Sequence, residues 1–162
     1  MECSSLELYC DGSVNPKTKI GFGAYFIYNK ALDNQNINIK KFENTSSTKL
    51  ELEVLLWALE KEGESLKNKK VIVYTDCQNI LTLFDRKERL QKNNYFTKTG
   101  KRITNFEIYK KFYLKSATVE LSINKVKGHK KSNLKDHIDT LFNLVDKASR
   151  KALRDFYKKE GL

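Results

Sequence analysis

The chain has 162 residues, of which 40% are hydrophobic, and a formal net charge of +11. This length and composition exclude a disordered chain and predict one domain over residues 1–162. No apolar run approaches the roughly 20 residues that cross a bilayer, so we expect no membrane partner.

The cysteines and the net charge indicate the cellular compartment and the class of binding partner. Three cysteines, none in a C-x-x-C pair, argue against a disulfide scaffold or a zinc site. Residues 1–5 also lack the basic and apolar segments of a signal peptide, so we expect a cytoplasmic protein. The positive charge favours nucleic acid as a partner, while a generally lysine-rich proteome would produce the same charge.

The first part of the chain predicts three strands and a helix. The strands are predicted at 6–12, 21–28 and 37–42, with turns at 14–19 and 33–36. Thr45 to Thr48 offers N-caps for a helix over 50–61, and Gly63 would end that helix. The helix has an apolar face at helical spacing, formed by Leu52, Leu55, Leu56 and Leu59.

The second part alternates strands and helices. A strand at 71–75 is apolar on both faces, which predicts a place inside a sheet covered on both sides. A helix over 77–89, a polar loop over 90–102, a helix over 103–115, a strand at 118–125 and a helix over 141–157 follow. This order predicts an α/β fold, with a mixed sheet and helices on its faces.

Two aspartates follow predicted strands. Asp11 ends the first strand and Asp76 follows the strand at 71–75. Enough chain separates the two strands for them to lie parallel and adjacent, which would place the carboxylates side by side. Such a pair needs a proton or a cation, and a hard divalent cation is the simplest solution. The alternative is that Asp11 belongs to a turn and Asp76 caps a helix.

The helices offer further acids. At about 100° per residue, Glu51 falls within the apolar arc of its helix, whereas Glu53 falls opposite and is predicted to be solvated. A carboxylate on a buried face needs a partner. On the closing helix, Asp146 lies at the edge of the apolar side, and Asp139 has nearly the same azimuth two turns earlier. Asp146 is the candidate ligand, and Asp139, which could instead cap the helix, is its competitor.

One histidine follows the last strand. His129 lies in the basic, glycine-containing segment 126–132. A surface histidine is the ordinary interpretation, and a proton shuttle near a metal site is the functional one.

Five short motifs span nearly the whole chain. They are Asp11-Gly12-Ser13 with Asn15-Pro16 and Gly21-Phe22-Gly23-Ala24, Leu50-Glu51-Leu52 with Ala58-Leu59-Glu60, Tyr74-Thr75-Asp76-Cys77-Gln78, Val126-Lys127-Gly128-His129, and Asp146-Lys147-Ala148. In this order they resemble the motifs of type 1 ribonucleases H.

The resemblance implies an RNase H-like fold, with a five-stranded sheet of three antiparallel strands followed by parallel ones. It implies endonucleolytic hydrolysis of the RNA strand of RNA–DNA hybrids. Two Mg²⁺ ions, or Mn²⁺, would be held by four carboxylates. By matching position these are Asp11, Glu51, Asp76 and Asp146. His129 would assist proton transfer or product release.

Matching positions also imply substrate contacts. Asn15, Gln78 and the helix start at Ser47 and Thr48 correspond to residues that contact the minor groove and the 2′-OH of the RNA. The family usually has asparagine where this chain has Ser47 and Thr48. It also usually has asparagine at the position of Phe142.

The remaining implied contacts are to phosphates. Gly12 and Ser13 would offer backbone N–H groups. Ten lysines or arginines lie between Arg86 and Lys115, where the family often has a basic protrusion, here without its tryptophans. Four of them fall in or beside the predicted loop and are the residues we assign to the DNA strand, Lys92, Lys98, Lys101 and Arg102.

Two other functions remain open. One is a catalytically impaired module that binds nucleic acid on the same fold. The other is a related nuclease that acts on DNA. For the ribonuclease H and for each alternative alike, we expect a monomer.

Overall fold

The computed structural model describes residues 4–29, 35–126 and 136–161. The strands are β1 (Ser5–Asn15), β2 (Ile20–Ile27), β3 (Asn38–Phe42), β4 (Lys70–Thr75) and β5 (Glu120–Lys125). The helices are α1 (Ser47–Lys61), α2 (Gly63–Leu66), α3 (Gln78–Leu81), α4 (Leu83–Lys92), α5 (Phe106–Ser116) and α6 (His137–Lys159). A helix with the length and apolarity to traverse a bilayer is absent from these ranges.

The five strands form one mixed sheet in the order β3-β2-β1-β4-β5. β1 pairs antiparallel with β2, which pairs antiparallel with β3, whereas β1, β4 and β5 are parallel. The predicted fold class and the adjacency of β1 and β4 are confirmed. Tyr9 is opposite Tyr74 in the parallel pair, so Asp11 in β1 and Asp76 just after β4 each follow two residues later, side by side.

Each face of the sheet has its own apolar layer, because successive side chains of a strand point to opposite faces. Leu8 and Cys10 of β1 belong to the larger cluster, which α1 and α5 cover. Tyr9 belongs to the smaller cluster, which α6 covers, and its ring stacks on Phe26 and Tyr74. The sheet is thus covered on both sides, as the apolar strand at 71–75 predicts.

Two predicted helix boundaries are wrong for local reasons. Gly63 does not end α1: Glu62 caps it, and Gly63 begins the short helix α2. The helix predicted over 77–89 is broken at Thr82, whose hydroxyl donates to the carbonyl of Asn79. After the break α4 continues to Lys92, into the segment predicted as a loop.

The closing helix begins earlier than its apolar pattern predicts. α6 starts at His137 rather than at residue 141. Asp136 caps it by accepting from the Asp139 N–H at 2.9 Å, and Asp139 accepts from the Asp136 N–H at 3.2 Å. This reciprocal capping box stabilises a polar first turn that carries little apolar signal.

Candidate active site

Three carboxylates converge where β1, β4 and α1 meet. Asp11 lies in β1, Asp76 follows β4, and Glu51 lies in the first two turns of α1. One oxygen from each lies within 4.8 Å of the others. Residues distant in sequence thus bring three acceptors to one point, an arrangement that suits a hard divalent cation.

The approach of α1 to β1 places Glu51 in this cluster. Ser46 caps α1, and its Oγ accepts from the Lys49 N–H at 3.3 Å. Gly12 permits the close approach, since a Cβ atom there would lie 2.8 Å from Cγ of Leu50 and 3.7 Å from Oε1 of Glu51. A glycine is therefore required beside the carboxylates for packing.

Glu53 is not the solvated residue that its azimuth predicts. Its side chain is half-buried and accepts a hydrogen bond from the Thr45 hydroxyl. The helical projection misses this contact because Thr45 lies in the segment that precedes α1, outside the helix itself. Glu53 therefore supports the start of α1 from the side opposite Glu51.

Burial makes Asp11 and Glu51 hold protons when no metal is bound, whereas Asp76 is exposed. Burial, followed by the charge of Asp76, raises the pKa of Asp11 to about 8. Burial and the charges of Asp11 and Asp76 raise the pKa of Glu51 well above its ordinary value. The interaction between the two carboxyl groups lowers the pKa of Asp11 and raises that of Glu51, so Glu51 is the better proton holder of the pair. Bound cations would remove this need for protons.

The donor set fits a metal ion by a further observation. Within the described part of the chain, Oε2 of Glu51 is buried and has no hydrogen-bond partner. An orphaned, buried acceptor is costly unless a donor or a cation faces it. The three carboxylates, one of which has this orphaned oxygen, form a site of hard ligands, which Mg²⁺ or Mn²⁺ prefers.

α6 brings Asp146 toward the cluster. After burial and Asp76, Asp146 is a further carboxylate whose charge raises the pKa of Asp11. Its Oδ1 lies 2.9 Å from Nε of Arg150, one turn later. Asp139, the competing candidate, belongs to the capping box at the start of α6. Asp146 is not among the described carboxylates that lie within 4.8 Å of one another, so its charge acts on Asp11 from outside that group. His129 lies outside the described residues.

The side chains predicted to contact the RNA strand lie on the elements that carry Asp11 and Glu51, or start the helix that follows Asp76. Oδ1 of Asn15 accepts from the Lys17 N–H at 2.9 Å, which fixes the turn after β1 and leaves its NH₂ group as a donor. Ser47 is the exposed first residue of α1, and Thr48 beside it is half-buried. Gln78 is the exposed first residue of α3.

A groove beside the start of α1 is lined by the N-cap candidates Thr45 and Ser46 and by polar residues that the sequence patterns did not single out. It encloses about 280 Å³. Asn44 has a left-handed backbone, with φ of 51°, and so aims the chain into the helix. The lining residues are Lys19, Asn44, Thr45, Ser46, Lys49, Thr104, Asn105, Glu107 and Ile108. The run Asn44-Thr45-Ser46 is visible in the sequence as a polar segment before a helix. Asn105 lies far away in the sequence and joins the groove only through tertiary structure.

The last residue of α4 and the connection to α5, together called the α4–α5 segment (residues 92–105), present the exposed cations Lys92, Lys98, Lys101 and Arg102. Phe96 and Arg102 form an isolated antiparallel bridge across it. The guanidinium carbon of Arg102 lies 4.4 Å from the ring centroid of Phe96 and 4.7 Å from that of Phe106. Tyr95 is buried and anchors the segment to α5. The loop is thus an ordered basic surface.

Comparisons with known proteins agree with this geometry. The RNase H family model matches residues 4–152. A ribonuclease H of Caldicellulosiruptor saccharolyticus is 27% identical over 115 residues, which cover 70% of this chain and 72% of that protein.

Two solved structures share the fold. LC9-RNase H1, a type 1 RNase H with the type 2 active-site motif, superposes with a TM-score of 0.69 at 15% identity, over 93% of this chain and 74% of that one. A foamy viral protease-reverse transcriptase in complex with dsDNA superposes with a TM-score of 0.67 at 10% identity, over 92% of each chain.

Proposed function

The chain belongs to the RNase H family of endoribonucleases, and we propose that it hydrolyses the RNA strand of RNA–DNA hybrids as a type 1 enzyme. The observation that carries the proposal is the convergence of Asp11, Glu51 and Asp76 within 4.8 Å. Phosphodiester hydrolysis builds negative charge on the phosphate, and acids alone would oppose it. A cation-binding cluster beside a basic surface resolves this conflict.

Two divalent ions, Mg²⁺ or Mn²⁺, would be held by Asp11, Glu51, Asp76 and Asp146. When bound, they lower the pKa of the attacking water and neutralise charge on the leaving oxygen. The buried Oε2 of Glu51 supports this assignment, since it lacks a partner among the described residues. Arg150 offsets part of the negative charge of Asp146 and so limits repulsion among the four acids. His129 is proposed to carry the proton of the departing group.

The surfaces beside the cluster would hold the two strands of the hybrid. Gly12 and Ser13 would contact a phosphate, and the NH₂ group of Asn15 would contact the RNA in the minor groove together with Gln78, Ser47 and Thr48. On the other strand, phosphates would meet the cations of the α4–α5 segment, Lys92, Lys98, Lys101 and Arg102. These contacts position the backbone and therefore imply little sequence preference.

We further propose that the enzyme acts as a monomer in the cytoplasm. Each described residue of the cluster comes from the same chain, so the site needs no second subunit. Cys10 and Cys77 are both free thiols, which suits a reducing compartment.

The decisive experiment is cleavage of a labelled RNA–DNA hybrid in Mg²⁺ and in Mn²⁺, with duplex DNA, duplex RNA and EDTA as controls. Asp11→Asn supplies the matched inactive protein, since it keeps the size of the side chain. We expect cuts only in the RNA of the hybrid, none in EDTA and none with the variant. Tight binding of the hybrid without cuts would indicate a binding module, and cleavage of duplex DNA alone would indicate a DNA-acting nuclease.

A further inference from the structure

Lys125 interrupts an apolar face of β5 beside the active site. Leu121 and Ile123 pack on the cluster beneath α1, and the alternation of the strand places Lys125 on the same face. Lys125 is paired with Thr75, the last residue of β4. Lys125 therefore lies at the carboxyl ends of the parallel strands, where Asp76 follows β4. The apolar layer has ended there, and the Lys125 side chain is exposed.

The ammonium group of Lys125 donates a hydrogen bond of 3.0 Å to Oε1 of Gln78. Gln78 begins α3, and the turn before it is fixed because the Cys77 N–H donates to Oγ1 of Thr75 at 3.1 Å. A lysine can only donate, so the amide oxygen must face it and the NH₂ group must point elsewhere. The ammonium group of Lys125 thus selects one of the two orientations of the Gln78 amide, which have nearly the same shape.

We propose that Lys125 is a positioning residue, which holds the Gln78 NH₂ group as a donor toward the hybrid. The inference rests on the proposed function and names how one of its contacts is made. Every base pair presents acceptor atoms in the minor groove, and the 2′-OH of RNA also accepts. A fixed donor therefore serves any sequence, whereas an amide that turns its oxygen toward those atoms repels them.

A double-mutant cycle tests this role. Lys125→Met keeps the apolar stem and removes the donor. We expect it to raise the KM for the hybrid about three- to five-fold with kcat changed less than about two-fold, as the loss of one hydrogen bond predicts. In a Gln78→Ala background the same substitution should change KM less than about 1.5-fold, because its effect passes through Gln78.

Three further variants sharpen the test. Gln78→Glu keeps an acceptor for Lys125 but has no donor, so its KM should rise as far as that of Gln78→Ala. Lys125→Arg can still donate and should restore most of the wild-type KM. Lys70→Met, at the opposite end of the sheet, is the matched control for the lost charge and should leave KM unchanged.

The competing role of Lys125 is a direct contact with a phosphate. In that case Lys125→Met would have the same effect in both backgrounds and would lower the slope of log affinity against log salt by about 0.9. That result would overturn the inference. Kd values for the hybrid, measured in EDTA with the same proteins, test the Lys125 inference separately from the proposed function. If Lys125 and Gln78 are coupled in Kd but the wild type does not cleave the hybrid, only the proposed hydrolysis is contradicted.

Discussion

Nε of Arg150 and Oδ1 of Asp146 lie 2.9 Å apart across one turn of α6. The two side chains are 54% and 28% exposed, so solvent screens the pair and it contributes little to the stability of the fold. Its main effect is local, because Asp146 is one of the carboxylates whose charge reaches the buried Asp11. Asp146 is thus a residue that can be changed without unfolding the protein.

The choice between Asp146 and Asp139 is testable from this difference. We expect Asp146→Asn to reduce hydrolysis of the hybrid at least about 100-fold, with unfolding free energy within about 0.5 kcal/mol of the wild type. Asp139→Asn should retain hydrolysis but lower the unfolding free energy by about 1 kcal/mol, because it weakens the capping box of α6. Urea unfolding and initial rates measure both, and the reversed pattern would make Asp139 the ligand.

The carboxylate cluster should make the metal-free protein less stable as the pH rises. The folded-state pKa of Asp11, about 8, exceeds its unfolded value. The stabilising effect of its proton is therefore complete below about pH 4 and is lost as the pH rises through the folded pKa. In EDTA, we expect Tm to fall from about pH 5 to about pH 9, and to fall less in Asp11→Asn.

Added Mg²⁺ should reverse this loss, because the ion competes with protons for the same oxygens. The gain in Tm on adding Mg²⁺ should be larger at high pH than at low pH, and it should be small in Asp11→Asn. An equal fall of Tm with pH in the two proteins would show that other groups cause it.

The sequence specifies the cluster better than its surroundings, for a physical reason. Asp11, Asp76 and Glu51 are tied to strand ends and to a helix face, and those positions follow from periods of two and 3.6 residues. Asp139 stayed a competitor of Asp146 because the first turn of α6 is polar, so the apolar pattern begins after it. The capping acids that start this turn, Asp136 and Asp139, carry the signal instead.

Contacts that depend on strand register or on tertiary packing cannot be predicted from local sequence periodicity. Lys125 reaches Gln78 because β5 ends level with Thr75, a relation that only strand pairing creates. Asn105 lines the groove at the start of α1 from a different part of the chain. Glu53 was misplaced for the same reason, since its partner Thr45 lies outside the helix that was projected.

The close packing of α1 on the sheet gives a stability prediction. A Cβ atom on Gly23 of β2 would overlap Cγ2 of Val54 and lie 3.1 Å from Cε2 of Phe42. We expect Gly23→Ala to lower the unfolding free energy by about 1–3 kcal/mol, the usual cost of overpacking. Gly63→Ala is the control, because no atom of the described residues lies within 4 Å of a Cβ atom there. It should raise stability by about 0.5–1 kcal/mol, and an equal loss in both variants would contradict the packing argument.

The α4–α5 segment tests whether the hybrid binds to a localised basic surface or responds only to the overall positive charge of the chain. Replacing its three lysines by glutamine should raise the Kd for the hybrid about ten-fold and lower the salt slope by about 2 to 3. These lysines are Lys92, Lys98 and Lys101. Hydrolysis at saturating substrate should persist, since the carboxylates are intact.

The matched control removes the same charge from the other end of the sheet. Lys67, Lys69 and Lys70 lie at the start of β4, opposite the end from which Asp76 emerges. Their replacement by glutamine should change Kd only slightly, because most of their field at the site is screened within a Debye length, about 10 Å at 0.1 M salt. If both triple variants weaken binding equally, the overall charge drives affinity and the ordered loop with its stacked Arg102 has no special role.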